Sequence, residues 1–156
     1  QVRQLTRQFS AGDRAAVSPR AVASAVASLA RPMATPQDDQ LARQTLLEAV
    51  DLPDARIRAN AIEGLLSRGR REASTTRDNA MIEVFTGRAA DPHHRVRSNA
   101  ARGMMVMGWA TGDERVSTAG SGLLAQLITD QRVMHRVAGL WLTHRVGPAV
   151  AVSGAL

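Results

Sequence analysis

The four histidines are the first place to look for chemistry. His93 and His94 are adjacent and His135 and His144 stand nine apart, so no pair has the i, i+4 spacing that sets two imidazoles on one helix face for a metal ion. Cysteine is absent, which removes disulfides, thiolate metal sites and cysteine nucleophiles together. Ser121 lies between Gly120 and Gly122, but it lacks the Gly-x-Ser-x-Gly elbow and the preceding strand that expose a nucleophilic serine. The paired carboxylates Asp38/Asp39 and Asp113/Glu114 fall at helix starts, where compensation of the helix dipole accounts for them without acid–base work. Glycines are scattered and build no phosphate loop. These residues point to no catalytic constellation, no metal site and no cofactor.

Charge is the more informative chemistry. All 20 basic residues are arginine and the net charge is +6. A GC-rich genome produces such a bias, but arginine also brings a planar fork of donors suited to carboxylates and phosphates. Aromatic side chains are limited to Phe9, Phe85, Trp109 and Trp141, so stacking platforms for single-stranded bases are nearly absent.

The elements that must position these charges are helical. At 156 residues and 44% hydrophobic composition the chain has the size of one folded domain. No run of eighteen apolar residues reads as a membrane span. The start at Gln1 has neither Met nor a signal-type apolar core, and the chain is expected to be a processed or excised piece.

Asp54 to Leu65 (DARIRANAIEGL) returns 39 residues later as His93 to Met104 (HHRVRSNAARGM), with identities Arg56/Arg95, Arg58/Arg97, Asn60/Asn99, Ala61/Ala100 and Gly64/Gly103. Another 39 residues on, Met134 to Thr143 repeats the pattern weakly, with Arg136 in the place of Arg58 and Arg97. Leu46, Phe85 and Leu124 keep the same interval, as do Val50, Ala89 and Ile128. Ile57, Ala61, Gly64 and Leu65 follow helical i, i+4, i+7, i+8 spacing, and so do Val96, Ala100, Gly103 and Met104. First helices are expected over about 36–50, 76–89 and 113–129, and second helices over 54–71, 93–110 and 131–146. Ser18 before Pro19, Thr35 before Pro36 with Asp38, and Asp91 before Pro92 mark helix starts, while Gly108 and Gly112 bracket the break after the Met-rich helix and Pro148 helps end the last one. Ser18 to Ala30 reads as the second helix of a worn leading unit, preceded by a short helix around Val2 to Phe9. No strand pattern occurs, so the class is all-α.

The run Asp91-Pro92-x-x-Arg95-Val96-Arg97-x-x-Ala100, with its 39-residue period, resembles HEAT repeats of the bacterial type, including those of phycobilisome lyases. The resemblance covers about 35–146 and departs from the family in two ways. The first helices lack the usual kinking proline, and Asp51 stands seven rather than six residues before Arg58. It implies a right-handed αα superhelical solenoid of about three and a half hairpins. The repeat domain is expected over 1–147, with units near 1–34, 35–72, 73–111 and 112–147, and a frayed tail over 148–156. The family implies a scaffold or binding surface rather than catalysis, and a lyase role has no candidate nucleophile here.

The recurring polar residues have structural roles first. Asp91 and Asp130 are expected to accept from amides at the second-helix start and to pair with Arg97 or Arg136, with Arg58 in the same ladder. Asn60 and Asn99 are expected to bond the backbone of an adjacent unit, the alternative being a ladder for an extended peptide of the kind armadillo solenoids use. The second helices carry eleven arginines against Asp54 and Glu63, net +9, and the first helices, taken with their flanking turns as 36–51, 74–90 and 113–129, four arginines against eight acids, net −4. In HEAT-type solenoids the second helices line the concave face, so the resemblance implies a basic inner surface. Arg56, Arg68, Arg95, Arg102 and Arg132 are the expected contacts to an acidic protein surface or peptide, the alternative being phosphates of a nucleic acid. Val137, Leu140, Trp141, Leu142 and Val146 make the last helix apolar on more than one side, and end-on packing through Leu140, Trp141 and Leu142 is expected.

Overall fold

The computed structural model describes residues 18–72 and 79–147, together with Gln4 and Gln8, which are helical. The rest of the helix expected around Val2 to Phe9, Pro148 and the tail 148–156 lie outside the described residues. Seven helices are present among the described residues and no strand, so the chain is all-α: α1 (Pro19–Ser28), α2 (Pro36–Ala49), α3 (Ala55–Glu72), α4 (Asn79–Gly87), α5 (His94–Thr111), α6 (Glu114–Ile128) and α7 (Val133–Val146). They fall into two compact units, one ending at Arg71 and one beginning at Glu72.

Short polar side chains fix the starts of α2, α3 and α6, whereas Ser18 and Arg132 head α1 and α7 without a side-chain cap. Thr35 caps α2, accepting from the Asp38 amide at 3.1 Å while its hydroxyl donates to Asp38 Oδ2 at 2.7 Å, and Pro36 supplies the first turn. Asp54 Oδ1 accepts from the amides of Arg56 (2.8 Å) and Ile57 (3.2 Å) at the head of α3. Asp113 caps α6 through the Val116 amide at 3.2 Å. The bounds of α5 fall within one residue of the expected 93–110, but two of the expected markers play other parts. The Asp91-Pro92 pair does not cap α5: Asp91 accepts from the His93 amide at 2.9 Å, and His93, two residues later, is the cap. Gly108 does not end α5 either. The helix runs through it to a left-handed Gly112 (φ 69°), closed by bonds from Asp113 N to Gly108 O (2.8 Å) and from Gly112 N to Trp109 O (3.4 Å). A Cβ on Gly108 would lie 2.5 Å from Ser117 N, so this glycine is kept small by the close passage of α6.

In the first unit, Val22, Val26 and Leu29 of α1 and its exit, Leu46 and Ala49 of α2, and Ile57, Ala61 and Leu65 of α3 are buried. Leu46 sits where a Cβ on Gly64 would be, its Cδ2 only 2.8 Å from that position. In the second unit, Phe85 of α4 does the same over Gly103 of α5, with its Cγ 2.6 Å from the absent Cβ. Both members of the contact are displaced by 39 residues. At the next step Leu124 and Leu142 take these places, two large side chains that share a core with Ala101, Met105 and Leu123. A fully buried side chain of this size contributes roughly 1.5–3 kcal/mol, so each seat is a main anchor of its hairpin.

Gly103→Ala should therefore lower the unfolding free energy by about 1–3 kcal/mol in urea titration, because the Cγ end of the Phe85 ring cannot yield. Gly64→Ala should be close to neutral, since flexible Leu46 methyls can move and alanine favours the helix by up to about 1 kcal/mol. Equal losses at both sites would contradict the contact as described.

Candidate interaction surface

The second-helix arginines divide into three environments. Arg68 is 1% exposed: its Nε donates to Leu29 O (2.8 Å), its Nη2 to Arg31 O (2.9 Å), and its Nη1 pairs with Asp39 Oδ1 (2.8 Å). It was expected to offer charge to a partner. Instead it caps the carbonyls at the end of α1, which the helix itself leaves without donors. Arg102 is also buried, so it too is withdrawn from the expected contact set.

A second group serves the interhelix turns. Arg58 Nη1 donates to Leu52 O (3.1 Å) and Pro53 O (2.8 Å). Seventy-eight residues on, at twice the repeat interval, Arg136 Nη1 donates to Asp130 O (2.8 Å) and Gln131 O (2.8 Å). Arg97 reaches further: its Nε donates to Ala89 O (3.1 Å) and its Nη1 lies 3.4 Å from both Asp130 Oδ2 and His135 Nδ1. Asn60 Nδ2 donates to Ala23 O on α1 at 2.9 Å, and Asn99 is buried.

The third group is exposed: Arg56, Arg70, Arg95, Arg132 and Arg145. Arg132 is already committed, its Nε and Nη2 gripping Asp130 at 2.9 and 2.7 Å while Asp130 also accepts from the Arg132 amide at 2.9 Å. These hydrogen bonds hold the Asp130 carboxyl well below the usual carboxylate range and push the Arg132 guanidinium up. Arg56 and Arg95 make no ion pair with any described residue.

Beside Asp130 the imidazole of His135 is buried and faces Arg97, Arg132 and His94, whose ring centroid is 6.0 Å away. Burial lowers its pKa first and Arg132 next, with Asp130 opposing; His94 is lowered by burial and by Arg95. His135 Nδ1 lies between the Arg97 guanidinium at 3.4 Å and the Asp130 carboxylate at 3.5 Å.

Most of the exposed large apolar side chains among the described residues belong to α7. Val133 (62%), Met134 (54%), Val137 (51%), Leu140 (61%) and Trp141 (42%) are exposed along one side of this helix. Leu142 is fully buried and faces the core, so it drops out of the expected end-on surface, and Val133 and Met134 join it. The signal for these two is helical register: Val133 stands four, seven and eight residues before Val137, Leu140 and Trp141, and Met134 three and seven before Val137 and Trp141. The guanidinium of Arg145 lies over Trp141, 5.0 Å from the ring centroid. Among the described residues no helix is long and apolar enough to cross a membrane, and no group of three metal-ligand side chains comes together.

The histidine environment sets a pH dependence. The folded pKa of His135 lies below its ordinary 6.5, so between the two values the unfolded chain binds the extra proton and stability falls as pH drops through and below about 6.5. The Asp130 contribution persists until the pH falls below its ordinary 3.8. Urea midpoints at about pH 7.5 and 5.5 should differ more for the parent chain than for His135→Gln. Parallel shifts would show that His135 is not the titrating group.

Comparison of the chain with protein-family models, with curated proteins and with solved structures found no match, which leaves its own surfaces as the guide to what it does.

Proposed function

We propose that the chain is a HEAT-like repeat protein, its hairpins stacked as a right-handed αα solenoid, that works as a non-catalytic scaffold or interaction module. In this reading its second-helix arginines hold an acidic protein surface. The recurrence of the Leu46–Gly64 and Phe85–Gly103 seats at the repeat interval supports the repeat reading. The observation that carries the binding reading is the pair Arg56 and Arg95. They occupy the same repeat position, both are exposed, and neither is paired with a described acid. Both stand in the first turn of a helix, where a cation works against the dipole and costs roughly 0.3–1 kcal/mol. Charges in such places add nothing to the fold and suit an anionic ligand. Arg132 contributes less, because Asp130 already occupies its fork. The apolar face of α7 favours a protein over a nucleic acid, since exposed Trp, Met and Arg together have the composition of protein interfaces.

The probe is a fluorescein-labelled, glutamate-rich peptide titrated at low and at physiological salt, with a duplex DNA oligonucleotide in parallel. The peptide should bind and weaken with salt. The double variant Arg56→Glu/Arg95→Glu should lose about tenfold or more in affinity while its stability does not fall, since acids suit the first turn of a helix. Duplex binding with a steep salt dependence, and no peptide binding, would replace this reading with phosphate recognition. Binding of neither would overturn both.

A further inference from the structure

The two second helices of the second unit can be compared position by position. In α5 the side built from Ser98, Ala101, Arg102 and Met105 is buried. Ala101 and Met105 pack in one core with Leu123 and Leu124 of α6 and Leu142 of α7. Gly120 of α6 comes so close that a Cβ there would lie 2.8 Å from Met105 N and 2.9 Å from Ala101 O. This side of α5 is a seat for the helices that follow it. Thirty-nine residues on, the same positions in α7 are Val137, Leu140, Trp141 and His144, and all four are exposed. The face that is covered in α5 stands open in α7. It is also more apolar there, with Val137 for Ser98, Leu140 for Ala101 and Trp141 for Arg102. An outer face meant for water changes in the opposite direction.

The electrostatics of α7 identify what fits. The helix contains no acid, and Arg136 and Arg145 fall on the two borders of the apolar stripe, with His144 in line and Arg132 at its head. Arg145, stacked on Trp141, holds the indole down and presents charge at the rim. Antiparallel pairing of this face with a second copy would bring Arg132 against Arg145 and set cations along both borders, which opposes self-association. An amphipathic helix whose apolar stripe is flanked by carboxylates meets both requirements.

We infer that the exposed face of α7, Val133, Met134, Val137, Leu140 and Trp141, is a docking site for an acid-flanked amphipathic helix of a partner protein. The inference deepens the interaction-module reading but uses none of the arginines that carry it. The occupant lies along α7 as α6 lies along α5, buries Leu140 and Trp141 at its centre, and pairs its carboxylates with Arg136 and Arg145 at the rim.

The test starts from Trp109→Phe, which leaves Trp141 as the sole tryptophan. The probe is a synthetic helix-forming peptide of about sixteen residues with leucines at i, i+3, i+4 and i+7 and glutamates on both borders, compared with a twin carrying lysines there. The glutamate peptide should move Trp141 emission to the blue and bind at least about tenfold tighter than the lysine twin. Leu140→Asp should cost about tenfold or more, whereas Arg56→Glu/Arg95→Glu should change nothing, which separates this site from the arginine site. No emission shift, or equal affinity for the two peptides, would overturn the proposal. So would a dimer in sedimentation that Leu140→Asp dissolves, or a red shift of Trp141 when residues 148–156 are removed; the first assigns the face to a second copy and the second to the chain's own tail.

Discussion

A large apolar side chain from a first helix seated on a glycine of the second is the contact on which the hairpins depend. Leu46 over Gly64 and Phe85 over Gly103 lie within the space that a side chain at the glycine would take, tightly at Phe85 and with room to yield at the Leu46 methyls. That closeness fixes helix separation, and with it the phase of each second helix: which residues face the core and which are left outside. Where leucine replaces glycine, as at Leu142, the seat becomes side chain against side chain within a larger cluster that includes Ala101, Met105 and Leu124. Backbone approaches in the second unit occur instead at Gly108 beside Ser117, Gly120 over α5 and Gly139 over Ile128.

The arginines complete the design because the helices leave backbone groups unpaired at their ends. Arg68 spreads its donors over two carbonyls and a carboxylate, which a lysine ammonium cannot do from one point. Arg58 and Arg136 each bridge two successive turn carbonyls, and Arg97 ties α5 to the Asp130 turn ahead of α7. Once these roles are filled, the charge left exposed on the second helices is smaller than composition suggests, and it includes Arg56, Arg70, Arg95 and Arg145.

Much of this was legible in the sequence, because helix periodicity and a fixed repeat are local signals. The Thr35 capping box, the all-α class and the 39-residue spacing of Leu46, Phe85, Gly64 and Gly103 need no knowledge of the fold. The fate of Arg68 was hidden because its partners at Leu29 and Arg31 lie 39 and 37 residues away and are backbone atoms that no side-chain pattern announces. The start of α5 falls within one residue of its expected place, but the cap is not the Asp-Pro pair: Asp91 organises the turn and His93 caps. The phase of α7 was ambiguous because apolar residues occur on both sides of that helix. Its inner side holds His135 and Gly139, so hydrophobicity alone does not single out Leu142 as the residue that faces inward.

The most direct measurement of the central claim is the proton spectrum of the two glycines. With the Phe85 ring packed on Gly103, the Gly103 α-protons should be shifted upfield by the ring current and show nuclear Overhauser contacts to the Phe85 ring. Gly64 α-protons should show contacts to the Leu46 methyls without that shift. Gly103 α-protons at ordinary helical positions, with no contact to Phe85, would contradict the pairing of helices on which the account is built.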